Sequence, residues 1–159
     1  MSTLPAWDLP DPFVVELNVP ASAIDSYGHV NNTVYISWLE RCAWAHSAAV
    51  GFPESRCVAM GRGMAVRRLN VEYLAACYEG DRILVGNWLV ANDGKLRATR
   101  RFQVINASRG QVALRGEVLY VCMNLETGRP VRMPGAFLHA YRVVDTPETH
   151  QPIADASGE

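Results

Sequence analysis

The stretch from Thr33 to Val50 sets the strongest limit on what this chain can fold into. Apolar side chains at Val34, Tyr35, Trp38, Leu39, Cys42, Ala45 and Ala49 recur at helical spacing, and Gly51 with Pro53 closes the run. The pattern predicts a helix of about five turns. Its remaining faces carry Ile36, Ala43, Trp44 and Ala48, so it is apolar on most sides. Such a helix needs other structure around it.

Most of the remaining pattern has the period of strands. Phe13 to Val19 reads as a first strand closed by Pro20. In RRLNVEYL, Leu69, Val71 and Tyr73 alternate with Arg68, Asn70 and Glu72, and Gly80-Asp81 marks the turn that follows. ILVGNWLV (83–90), LRATRRFQVI (96–105) and VALRGEVLYVCM (112–123) come next, separated by NDGK and NASRG, which have hairpin turn chemistry. GRG at 61–63 reads as a turn or flexible loop, and a short helical turn is expected near Pro134 to Tyr141. The expected order is one strand, one enclosed helix and a four-stranded antiparallel meander. Five strands bury both their own face and a largely apolar helix only if the sheet curls around it. The predicted fold is therefore α+β, a curved five-stranded antiparallel sheet wrapped around one long central helix. Its long free edges suggest a dimer with a continued sheet.

A length of 159 residues fits one domain. Three prolines make residues 1–12 an extended arm, 13–144 form the domain, and the polar, proline-containing stretch 145–159 is expected to be a frayed tail. Net charge is −1, which gives none of the diffuse attraction that non-specific nucleic-acid binding needs. The sequence has no run of about 18 apolar residues and no basic-then-apolar leader, so a cytoplasmic protein without membrane association is expected. Cys42, Cys57, Cys77 and Cys122 lie 15, 20 and 45 residues apart, without a C-x-x-C pair. That spacing points to buried thiols rather than a zinc or redox site, and neither metal nor cofactor is expected. Of the 15 basic residues all but Lys95 are arginine, whose planar fork also suits phosphate recognition.

The segment IDSYGHVNN, residues 24–32, leads into the helix. First-turn backbone N–H groups have no intrahelical partners and carry partial positive charge, so a helix start can hold an anion or a developing oxyanion. A turn at Gly28 would fold the Asp25 carboxylate back beside that end, an arrangement suited to acyl transfer. Asp and Asn are equally good helix caps and turn formers, so the residues alone leave both readings open. His29 has no second ligand at metal-binding spacing, and the chain contains no G-x-S-x-G elbow, P-loop or G-x-G-x-x-G fingerprint.

The run DSYGHVNNTVYISWLE, Asp25 to Glu40, resembles the signature of hotdog-fold acyl thioesterases of the 4-hydroxybenzoyl-CoA thioesterase type and the related plant acyl-ACP thioesterases. NVEYLAACYEGDRILV and GEVLYVCMNLETGRPVRMP resemble the family's following strand and closing segment, in the right order, over most of residues 13–137. The resemblance implies a hotdog fold and hydrolysis of acyl-CoA, or of acyl-ACP, by a homodimer or dimer of dimers. It implies that Asp25 is the nucleophile or the base for water, that the backbone N–H of Asn32 contacts the oxyanion, that His29 and Asn31 orient, and that Glu40 belongs to the site's polar network. Tyr27 departs from the asparagine of the plant enzymes, so no role of that asparagine transfers, and Ala76 stands where many relatives have proline. Arg67, Arg68, Arg100, Arg101 and Arg109 are candidates for CoA phosphates or for a solvated sheet face. Trp38, Trp44, Trp88, Phe102 and Met64 are candidates for an acyl tunnel or for plain core. The dehydratase pattern of the same fold, H-x-x-G-x-P-x-x-P-G, is absent. A non-catalytic acyl-CoA-binding protein is the alternative in a different class.

Overall fold

The structure, a computed structural model, describes residues 3–144. The tail expected at 145–159 lies outside the described residues. The elements run β1 (Phe13–Asn18), α1 (Asn32–Ala49), α2 (Glu54–Met60), β2 (Arg62–Tyr73), β3 (Arg82–Asn92), β4 (Arg97–Asn106), β5 (Gln111–Asn124) and α3 (Gly135–Ala140). These strands pair antiparallel throughout, and their spatial order is β1-β3-β4-β5-β2.

That order corrects the expected four-stranded meander. Only β3, β4 and β5 are sequential neighbours, while β2 lies at the far edge against β5. Strand periodicity reports faces, not neighbours. The link from β2 to β3 crosses the end of the sheet, with the N–H groups of Leu74 and Ala75 on the Ala113 carbonyl and the Cys77 carbonyl accepting from Val30. GRG also resolves differently. Gly61 ends α2 in the left-handed region at φ 65°, and Gly63 is already inside β2.

The sheet curls around α1 as its apolar faces require. Tyr35, Trp38, Leu39, Cys42 and Ala43 of the helix join Ile83, Val85, Phe102, Val104, Leu114 and Val118 in the principal core. Gly116 permits the closest approach, since a Cβ there would lie 3.1 Å from Val71 and 3.4 Å from Leu39. A second cluster, Phe52, Cys57, Leu89, Ala98, Cys122, Met133, Phe137 and Tyr141, closes the other end of the wrap. All four cysteines are free and buried. No helix among the described residues is long and apolar enough to cross a membrane.

The proline-rich arm lies over the outer face of the sheet. Its prolines withhold backbone donors, and side chains supply the attachment. The Asp8 N–H donates to Gln103 Oε1 at 2.8 Å, Gln103 Nε2 donates to the Ala6 carbonyl, and Trp88 Nε1 donates to the Pro10 carbonyl. Trp7 packs edge-on to Trp88 and seats on Gly86, where any Cβ would sit 2.6 Å from its ring. Arg115 clamps Asp8 with two hydrogen bonds of 2.7 and 2.9 Å.

Candidate active site

Between β1 and α1 the chain closes a small loop. Ile24 and Val30 pair as an antiparallel bridge, the Asp25 N–H donates to the His29 carbonyl, and the Gly28 N–H donates back to the Asp25 carbonyl at 3.0 Å. Gly28 has φ 84°, a conformation open to glycine at little cost. The Asp25 carboxylate is half-buried and held at both oxygens: Oδ1 accepts from the Tyr27 N–H at 2.9 Å, and Oδ2 accepts from Asn31 Nδ2 at 3.3 Å. A carboxylate has about four acceptor positions, so others stay open.

Asn31 is the N-cap of α1. Its Oδ1 accepts from the Thr33 N–H at 2.9 Å and from the Thr33 hydroxyl at 2.6 Å. The next residue, Asn32, is exposed, its carbonyl accepts from Tyr73 at 2.9 Å, and its N–H has no partner among the described residues. One asparagine thus starts the helix and fixes the carboxylate, beside an unoccupied N–H at the positive end of the helix dipole.

The side chains of two other expected residues make no hydrogen bond to this trio among the described residues. His29 is half-buried with its ring near Tyr27 and Tyr78, and its Nδ1 is 3.3 Å from the Val30 carbonyl. Glu40 is exposed and lies eight residues beyond Asn32, about 12 Å along the axis at a helical rise of 1.5 Å per residue.

Glu40 stands instead on the wall of a cavity of about 200 Å³ between the C-terminal half of α1 and the sheet. Trp44 and Met64 line this cavity, whereas Trp38 and Phe102 are core and Trp88 lies beneath the arm. Arg100 on the cavity wall belongs to a polar cluster that the sequence reading did not assemble. Arg100, only 4% exposed, is 2.8 Å from Asn87 Oδ1 and 2.7 Å from His46 Nδ1 through its Nη1. His46 Nδ1 lies between the Arg100 guanidinium, which only donates, and Asn87 Oδ1 at 3.0 Å, which only accepts. Burial, reinforced by the charge of Arg100, brings the His46 pKa down to about 4, against a smaller opposing effect of Asn87. Tyr120, facing Arg100 across 5.6 Å, is pushed up to about 12 mainly by burial, with Arg100 opposing and Glu40 adding to the rise. The Tyr141 hydroxyl donates to Ser47 Oγ at 3.0 Å.

Arg100 therefore does not face solvent with the other candidate arginines. Arg109 is paired with Asp81 and Arg101 with Glu117, while Arg67 and Arg68 are exposed on β2. The signal for Arg100 was its parity: Ala98, Arg100, Phe102 and Val104 share the inward face of β4. Among the described residues no group of three or more His, Cys, Asp or Glu could hold a metal ion.

A family model described as the thioesterase-like superfamily matches residues 19–141, from the end of β1 through α3. The chain belongs to this superfamily. Solved structures agree in fold. A 1,4-dihydroxy-2-naphthoyl-CoA thioesterase from Synechocystis is 17% identical with a TM-score of 0.74, covering 82% of this chain and 96% of its own. A DHNA-CoA thioesterase from Staphylococcus aureus is 21% identical with a TM-score of 0.71, covering 76% and 80%. A Staphylococcus aureus protein in complex with CoA is 19% identical with a TM-score of 0.75, covering 94% and 99%. This member of the thioesterase-like superfamily thus has the wrapped-helix architecture of acyl-CoA thioesterases, and its Asp25 loop falls within the matched residues.

Proposed function

We propose that the protein hydrolyses acyl-CoA thioesters to the free acid and CoA. The observation that carries this reading is the hydrogen bond from Asn31 to Asp25, because the residue that caps α1 thereby holds a carboxylate beside the free N–H of Asn32. With a thioester carbonyl between them, Asp25 either attacks the carbon to give a mixed anhydride or removes a proton from an attacking water. The Asn32 N–H receives the charge that develops on oxygen. The thiolate leaves without a strong general acid. His29 and Asn31 orient the loop, and Glu40 belongs to the wall that receives the acyl group.

The loop and the cavity lie at different stations along α1, Glu40 about 12 Å and Ser47 about 22 Å from the helix start by helical rise. A dimer would join them. On the β2 edge Val66, Leu69 and Tyr73 are exposed despite their size, and Trp44 is exposed nearby on α1. Pairing this edge with a second copy would cover those side chains and satisfy the open strand. The pantetheine arm then enters at the subunit boundary, with one copy's loop beside the other's cavity. Hydrolysis of acyl-ACP by the same site is the variant reading, and a non-catalytic acyl-CoA-binding protein is the opposing one.

Free-thiol release from a panel of short, medium, long and aromatic acyl-CoAs, with an acyl-ACP beside them, tests the proposal. Turnover of at least one acyl-CoA is expected. Tight binding without cleavage of any member would favour the binding protein, and cleavage of acyl-ACP alone would move the substrate assignment.

A further inference from the structure

The cavity beside α1 contains a cation that the fold leaves uncompensated. Arg100 is 4% exposed, its polar neighbours Asn87, His46 and the Tyr120 hydroxyl are all neutral, and its Nε is buried without any hydrogen bond. Among the described residues no acid forms an ion pair with it. Glu40, the acid of the cavity wall, is exposed at the rim. A buried guanidinium whose role is only structural normally has a carboxylate or a full set of acceptors, because an unpaired interior charge is strongly unfavourable.

We propose that this cavity is the acyl subsite for thioesters whose acyl group ends in a carboxylate, and that Arg100 pairs with that distal carboxylate. The assignment rests on the thioesterase reading for the other end of the substrate. Its chemistry follows from the guanidinium: Arg100 lines the cavity, carries its N–H donors in a fixed planar array, and attracts a carboxylate that reaches its cavity face. The cavity walls include Ala43, Met64, Leu89 and Ala98, apolar surface for the methylene groups of an acyl chain. The Tyr120 and Tyr141 rings flank the cation at 5.6 and 5.9 Å, and the Ser47–Tyr141 hydroxyl pair adds polar capacity at the same end. An unsubstituted alkyl chain would fill the same walls and leave the cation as it was. An acyl group with a terminal carboxylate neutralises it.

Matched CoA thioesters that differ only in the terminal group provide the test: succinyl with butyryl, adipoyl with hexanoyl, suberoyl with octanoyl. In at least one pair the wild type should favour the carboxylated member by about tenfold or more in kcat/KM. Arg100→Met should bring the carboxylated and plain members of that pair within about threefold of each other, and Arg100→Lys should retain part of the preference. Binding of the corresponding non-hydrolysable CoA thioethers by calorimetry separates the two readings. Carboxylate-selective binding, lost in Arg100→Met, without hydrolysis of any thioester would sustain the subsite and sink the thioesterase. Hydrolysis with no carboxylate preference in any wild-type pair would overturn the subsite and leave the thioesterase standing. Neither selective binding nor hydrolysis would overturn both. The wild-type comparison decides the matter even if Arg100→Met does not fold.

Discussion

Asn31 donates from Nδ2 to Oδ2 of Asp25 across 3.3 Å while its own Oδ1 caps α1 through Thr33. The acid and the helix start are thereby one rigid unit, and the two functions of Asn31 separate by substitution. Asn31→Ser keeps a capping oxygen but, being shorter and without an amide N–H, loses the reach to Asp25, so stability should stay within a few tenths of a kcal/mol while thioesterase activity falls. Asn31→Ala should lose about 1 kcal/mol of stability as well as activity. Urea melts beside thiol-release assays check both.

The strap across the outer face should couple Trp7 to Gly86. Gly86→Ala forces the Trp7 ring off its seat, 2.6 Å being too close for any carbon, and should cost about 1–3 kcal/mol in denaturant melts. In a Trp7→Ala background the same change should cost much less, because the clash is gone. Additive effects would show that the arm does not hold this position in solution.

His46 sets a pH dependence of stability. Burial and the neighbouring Arg100 depress its folded pKa to about 4 from an ordinary 6.5, so the unfolded chain takes up a proton that the native chain refuses. This contribution is fully present above about pH 6.5 and is lost as the pH falls towards 4. Urea melts across that window should show stability declining with acid, and His46→Gln should flatten the slope.

The open β2 edge predicts a mass in solution that is a multiple of the chain. Val66→Lys combined with Leu69→Lys should reduce it to a single copy, since both side chains are large, apolar and exposed on that edge. Light scattering reads the result directly. A wild-type monomer would contradict the shared-sheet dimer.

What the sequence revealed follows from which physical signals are local. The helix expected over Thr33–Val50 is Asn32–Ala49, and the first strand, the hairpin strands and the helical turn after Pro134 fall within a few residues of their expected bounds. Side-chain period and turn chemistry carry that information. The place of β2 beside β5 was not legible, because alternation is blind to strand order. The short helix Glu54–Met60 escaped because seven residues give too few turns for a periodic signal. In the site, the loop from Asp25 to Asn32 was visible as one contiguous motif. The cluster of Arg100, His46 and Asn87 was not, since its members come from β4, α1 and β3 and meet only after the sheet has curled.

The account turns on Asp25 as the reacting carboxylate. The measurement that bears on it most directly is kcat/KM of Asp25→Asn with the best acyl-CoA substrate, alongside a melt confirming that the variant is folded. A loss of at least a hundredfold, about 2.7 kcal/mol of barrier, is the predicted result. Activity within about threefold of wild type would contradict it and return Asp25 to the role of a turn residue.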